Sequence, residues 1–425
     1  MENSKNSSIA LATLISVFFF WGFVAASNDI LIPVFKDSLG LSQFQSQMVS
    51  FAFYVAYTVG ALLYLFISKI IKSDILNKIG YKTGIALGLL ISASGTLMFI
   101  PAASYESFTF MLSGLFIVGL GFSLQQTAAN PLIIKMGDEK LGSQRLSLAG
   151  GINNIGTTIG PVLISFAIFG IVSTSGANAN MDSISMNSIK IPYLILGAAF
   201  VLVAIIIYFS NIPNYIKNIK DEIIESASTK TLLDYPKVIL GMIAIFLYVG
   251  VEVATAGNLA EYLKREFSMK TSEVTPYVSL FWASLMIGRW AAASSIFSAK
   301  KSLKIILTFI LPYGAFGVFV LVNVITNQNL EPLYYYGGLI LLVICAEIVS
   351  VGKPSKQLFI YSILGIIALL IGMFNSGIIS IYAIISVGLF CSVLWPCIFT
   401  LAISGLGSFT NKASGYLIMM IMGGG

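Results

Sequence analysis

Two carboxylates set the chemistry open to this chain: Asp29 and Glu252, each stranded well inside an apolar run. Asp29 lies about two-thirds of the way along IALATLISVFFFWGFVAASNDILIPV (residues 9–34), and Glu252 lies near the middle of a later run, with Thr255 one turn on. An Asp at membrane depth costs about 2.5–3.5 kcal/mol on insertion scales, so it is expected to touch water, a solute or a buried partner. No Lys or Arg is expected at mid-membrane beside either acid, so neither has an evident ion-pair partner. Carboxylates withdrawn from water suit groups that gain and lose a proton, and both read as coupling residues.

Amides and aromatics accompany them. Gln126 and Asn130 are four apart on one helix face, and Pro131 follows, freeing a backbone carbonyl one turn back. Asn153 shares a face with Thr157, and Asn154 shares the neighbouring face with Thr158, while Asn28 precedes the first acid. Trp21, Trp282 and Trp395, with Tyr54 and Tyr57, lie deep enough to face a cavity. Amides hydrogen-bond hydroxyls in pairs and a tryptophan face stacks on a pyranose ring. Without fixed positive charge this set favours a neutral polyol over an anion. Asn28, Gln126, Asn130, Asn153, Asn154, Trp21, Trp282 and Trp395 are therefore the candidate substrate contacts. Membrane amides serve helix–helix hydrogen bonds about as often as ligands, and glycines such as Gly156 mostly serve close packing. Glu261 and Glu347 sit near span ends, where snorkelling suffices.

The elements that must position these groups are membrane helices. The chain has 425 residues, 57% hydrophobic and only 10% charged, with a mean hydropathy of +0.91; soluble domains carry about 25% charged residues. The continuous runs of twenty or so residues indicate helices rather than alternating barrel strands. The net charge of +6 is spread in short clusters between runs, with no basic stripe for nucleic acid. Cys345, Cys391 and Cys397 lie in or beside apolar segments and imply no disulfide framework. Histidine is absent from the sequence. That removes His-ligated metal sites and Ser–His or Cys–His nucleophiles, so no enzyme, metal or cofactor is expected.

Apolar runs fall at about 9–34, 46–70, 82–101, 106–134, 145–171, 191–211, 238–263, 276–298, 303–325, 335–351, 357–376, 379–406 and from about 413 onward. With a cytoplasmic N-terminus, only Lys36, Lys190, Lys264, Arg265 and Lys270 of the 24 Lys and Arg fall outside, as the positive-inside rule requires. Residues 172–190 read as an external polar loop, and 212–237 as a charged cytoplasmic linker. Six helices (1–211), a linker (212–237) and a second helical bundle (238–425) is the layout of repeat-built transporters. NPLIIKMG before Arg145 and WPCIFTLAISGLG before Lys412 echo each other across the two halves.

FFFWGFVAASNDILIPVFK, GFSLQQTAANPLI, RLSLAGGINNIGTTIGP, YVGVEVATAG, IGRW and WPCIFTLAISGLG together resemble the fucose/glucose–galactose permease branch of the major facilitator superfamily, in order and over almost the whole chain. The usual basic signature between the second and third helices is reduced to KIGYK. The resemblance implies an all-α integral membrane protein of two rocking bundles around a central hexose site, in a bacterial inner membrane, with proton or sodium symport. The family's first-helix carboxylate falls on Asp29, and its fifth-helix sugar-contacting asparagine on Asn153. Where fucose permeases carry glutamate and glutamine, this chain has Gln126 and Gly150; their seventh-helix glutamine is Glu252 here, as in glucose/galactose-type members. Glucose or galactose is accordingly expected over fucose. The stretch between IGRW and WPCIF holds more apolar runs than the family plan needs, which reads as an inserted helix pair at about 335–376. The chain also stops inside what corresponds to the eleventh helix, which reads as a truncated C-terminus.

A secondary active importer of a neutral hexose is the leading expectation, acting as a monomer in the lipid bilayer with no nucleic-acid partner. An efflux carrier for amphipathic compounds would have a larger apolar cavity and no need of Asn153. A non-transporting sugar sensor would be expected to carry a sizeable cytoplasmic domain, and none is evident.

Overall fold

The computed structural model describes residues 9–24, 26, 39–169, 190–214, 232–269, 271–297, 300–350 and 352–425. Asn28 and Asp29, the polar stretch 172–189 and most of the linker lie outside the described residues.

The first half contains α1 (Ile9–Val24), α2 (Gln43–Ile70), a short α3 (Ile75–Ile79), α4 (Tyr81–Leu97), α5 (Phe99–Ser104), α6 (Phe108–Lys135), α7 (Gly142–Phe169) and α8 (Lys190–Phe209). Their limits follow local chemistry. Ser42 starts α2 in a reciprocal capping box with Gln45, which satisfies two orphan donors of the first turn. Asp74 caps α3 through the amides of Leu76 and Asn77. The second half contains α9 (Pro236–Phe267), α10 (Thr271–Ala293), α11 (Lys301–Ile325), α12 (Ile340–Ser350), α13 (Pro354–Phe374), α14 (Gly377–Cys391), α15 (Leu394–Ile403) and α16 (Thr410–Met419). The stretch 335–376, where an inserted pair is expected, carries the end of a 3-10 turn, α12 and α13.

Nine of the described helical segments are long and apolar enough to cross a membrane. Their outer faces stay exposed, with Phe66, Leu202, Leu247, Phe359 and Phe374 among the large side chains left uncovered. Lipid makes burying such residues unnecessary, so helices associate instead through small residues and close packing. Gly156 of α7 shows this: a Cβ there would fall 2.2 Å from the carbonyl oxygen of Phe19, so α1 and α7 approach only because the position is glycine.

Within the halves, α4 packs on α6 and α8, and α13 packs on α14 and α15. Between halves, α10 lies along α7, while α16 contacts both α2 and α6. Polar bonds close this contact on the side of the short basic loops. Asn411 Nδ2 donates to Asp74 Oδ1 (3.2 Å) and Asn77 Oδ1 (2.9 Å). Ser414 Oγ donates to the Thr127 carbonyl (2.9 Å), and Gln144 Nε2 to the Gly352 carbonyl (2.5 Å).

Candidate functional site

A cavity of about 610 Å³ lies between the halves. It draws Trp21 from α1, Tyr54 and Tyr57 from α2, Gln126 and Asn130 from α6, Asn153 and Thr157 from α7, Tyr248 and Glu252 from α9, Trp282 and Arg289 from α10, and Trp395 from α15. Seven of the eight described candidates therefore line one void: Trp21, Gln126, Asn130, Asn153, Glu252, Trp282 and Trp395. The four-residue spacings account for this. Gln126 with Asn130, and Asn153 with Thr157, each present one helical face to the cavity.

The eighth, Asn154, is buried on the neighbouring face and is not among the lining residues. Its Oδ1 accepts a 2.8 Å hydrogen bond from Arg289 Nη1, and its carbonyl accepts from Thr157 and Thr158. It holds the wall rather than facing the void. Asn28 and Asp29 lie outside the described residues.

The lining groups are held by specific bonds. Gln126 Nε2 donates to Tyr57 Oη (3.0 Å). Trp21 Nε1 donates to Gln125 Oε1, and Gln125 Nε2 in turn donates to Ser92 Oγ (2.9 Å). Asn153 Nδ2 donates to the Phe18 carbonyl (2.9 Å), which ties α7 to α1. Tyr248 Oη donates to Glu252 Oε2 (2.5 Å). Asn130 stands apart. It is 1% exposed, it borders the cavity, and its Nδ2 finds no hydrogen-bond partner among the described residues. A buried donor without an acceptor is unfavourable by about 1–3 kcal/mol, so such a group in a cavity wall is poised for an acceptor from solute or water.

Two sequence expectations are corrected. Arg289, counted with the inside basic residues of the run 276–298 and not expected at mid-membrane, lies within α10 and lines the cavity, so the site does contain a fixed cation. Its half-buried guanidinium is received by three oxygens: Ser392 O from Nε (3.0 Å), and Gly150 O (3.3 Å) and Asn154 Oδ1 (2.8 Å) from Nη1. Those acceptors come from α7 and from the break between α14 and α15, remote in sequence, so no local pattern announces them. Glu347 does not snorkel. It is buried, accepting from Gln357 Nε2 (2.8 Å) and Tyr361 Oη (2.7 Å), and it lies away from the cavity. Glu261 is exposed. Gln125 and Tyr248 were missed as well. Tyr248 had a signal, its four-residue spacing from Glu252, whereas Gln125 points away from the face Gln126 presents.

Comparison with known proteins places this architecture. The model of the Major Facilitator Superfamily matches residues 9–352. A glucose/galactose transporter of Brucella abortus (strain 9-941) is 30% identical over all of this chain and 87% of the relative. The L-fucose-proton symporter of Escherichia coli K12 is 27% identical, over 99% of this chain and 86% of the relative. Among solved structures, the fucose transporter FucP in the outward conformation superposes with a TM-score of 0.71 at 25% identity, covering 99% of this chain and 90% of the other.

Proposed function

The chain belongs to the major facilitator superfamily, and on that premise we propose that it imports a neutral hexose, glucose or galactose before fucose, by alternating access with cation symport. The observation that carries the reading is the cavity wall: a buried amide donor at Asn130 that is unpaired among the described residues, the amides of Gln126 and Asn153, and three tryptophans around one void. Sugar hydroxyls are donors and acceptors at once and satisfy such groups in pairs. A site built to hydrogen-bond hydroxyls rejects solutes lacking them, because its polar groups are then left unpaired. The Nε and Nη1 donors of Arg289 go to protein oxygens, and the preference for a neutral hexose rests on the amides and tryptophans of the wall rather than on an absence of positive charge.

Glu252 is the coupling group within the described residues, joined in this reading by Asp29. The E. coli relative is a proton symporter by name, which supports a proton as the co-substrate, with sodium as the alternative. The protein acts as a monomer in a bacterial inner membrane, with its N-terminus in the cytoplasm, and its second bundle carries one helix pair beyond the family plan.

Counterflow of radiolabelled hexoses in proteoliposomes, with and without a pH or sodium gradient, tests this. Wild type is expected to exchange glucose or galactose and to accumulate it when one of the two cation gradients is imposed. Asp29→Asn is expected to abolish gradient-driven uptake while some exchange persists. If gradient-driven uptake survives in both Asp29→Asn and Glu252→Gln, neither acid is the coupling site.

A further inference from the structure

Arg289 occupies an unusual position. It belongs to the second half, yet its Nη1 donates to two oxygens of the first half, the Gly150 carbonyl and Asn154 Oδ1, while Nε holds Ser392 O in its own half. One guanidinium thus bridges the two bundles beside the cavity. The guanidinium lies close over Gly150, where a Cβ would stand 3.1 Å from Arg289 Cδ and 3.3 Å from Nη1, so any larger residue would press the side chain back by a few tenths of an ångström. Next to it, Trp290 closes on Gly151, whose Cβ would lie 2.4 Å from the indole.

Glu252 shares the cavity with Arg289 and feels its charge, but no ion pair joins them among the described residues. Besides Arg289, the titratable groups around Glu252 among the described residues are Tyr248 on its own helix, Cys391 on α14, and Tyr54 and Tyr57 across the cavity on α2. Arg289 is the cation among them. Tyr248 engages only one carboxylate oxygen of Glu252.

We propose that Arg289 is the positioning residue that couples Glu252 to the seam between the halves, by exchanging its first-half acceptors for the ionised carboxylate. The proposal rests on the transport reading above and deepens it. While Glu252 is protonated, a neutral acid competes poorly for the guanidinium, and Arg289 stays on Asn154 and Gly150, keeping α7 and α10 together. When Glu252 loses its proton, the carboxylate attracts the guanidinium with full charge, and a charge-assisted bond outcompetes two bonds to neutral oxygens. Asn154 Oδ1 and the Gly150 carbonyl are then released, and the seam loosens. By reciprocity, a conformation that parts α7 from α10 frees Arg289 to pair with Glu252, which favours release of the proton in that conformation. Proton release and seam opening are one event seen from two sites.

Hydrogen exchange of residues 146–155 and 284–293 in the full chain in lipid discs tests this without reference to any sugar, after correction for the intrinsic pH dependence of amide exchange. In wild type, protection of both segments is expected to fall about tenfold from acid to alkaline pH, within the range usual for coupled sites. Glu252→Gln is expected to stay protected at every pH, and Arg289→Gln to be unprotected at every pH. Arg289→Lys, which keeps the charge without the fork, is expected to recover part of the pH dependence. Protection that does not change with pH in wild type, or that still changes in Glu252→Gln, overturns the proposal; so does an Arg289→Gln profile identical to wild type. If Arg289→Gln does not fold, the Glu252→Gln arm decides. Absence of hexose counterflow in wild type would remove the sugar reading and leave this result standing.

Discussion

Glu252 and Glu347 are the same residue type set in similar apolar sequence, yet the structure treats them differently. Glu347 of α12 is closed in by two donors from α13, Gln357 and Tyr361, with Lys304 of α11 in electrostatic range, and it borders no cavity. Gln357 is itself held by Cys397 Sγ at 3.5 Å. Glu252 accepts one bond, from Tyr248, and is half-buried in the wall of the central void. A carboxylate with its acceptors filled is a fastener. One that keeps an oxygen toward a cavity between two moving halves can exchange its partner, and with it do work.

Exchanging the two glutamates for their amides and for apolar residues tests that distinction, and the largest effect is expected at the cavity. Glu252→Gln removes the ionisable group but still accepts from Tyr248, so gradient-driven accumulation is expected to fall about 10- to 100-fold with little change in thermal midpoint. An equal loss of stability and accumulation would reduce Glu252 to a second fastener. Next in size is Glu347→Leu, which strands the donors of Gln357 and Tyr361. Unfolding in denaturant is expected to show a loss of about 2–6 kcal/mol, at about 1–3 kcal/mol for each unpaired group. Exchange per folded molecule should persist; a selective loss of gradient coupling in Glu347→Leu would erase the contrast.

The smallest effect is expected at a third buried acid, Asp74, which lies between spans. Burial raises its pKa above the ordinary value, outweighing hydrogen bonds from Tyr64, Asn411 and the amides of Asn77 and Leu76, which pull it down. The folded protein therefore holds this proton where the unfolded chain has lost it, and the contribution of Asp74 to stability declines as pH rises from the unfolded value through the folded one. Asp74→Asn is expected to flatten that slope, by less than about 1 kcal/mol. Thermal unfolding against pH measures it; a slope unchanged in the variant would mean that Asp74 does not titrate with folding.

Much of this site was legible beforehand, for identifiable reasons. Gln126, Asn130 and Asn153 declared their faces through helical spacing, and Glu252 declared itself by the cost of leaving water. Arg289 was not legible. Its motif, IGRW, was visible, but an arginine near the end of an apolar run looks like loop chemistry until Ser392, Gly150 and Asn154 are seen around it. Asn154 erred the other way, since one step along α7 separates a cavity-lining amide from one that grips the opposite bundle.

Sequence alone was enough for the helices, their apolar faces and the identity of most polar groups facing inward, because hydropathy and a 3.6-residue period are local properties of the chain. Only the tertiary structure decided which buried acid faces the void, which amide is left unpaired, and that a cation bridges the halves. Each of those depends on acceptors and donors brought from helices far apart in the chain, and no local period records who meets whom.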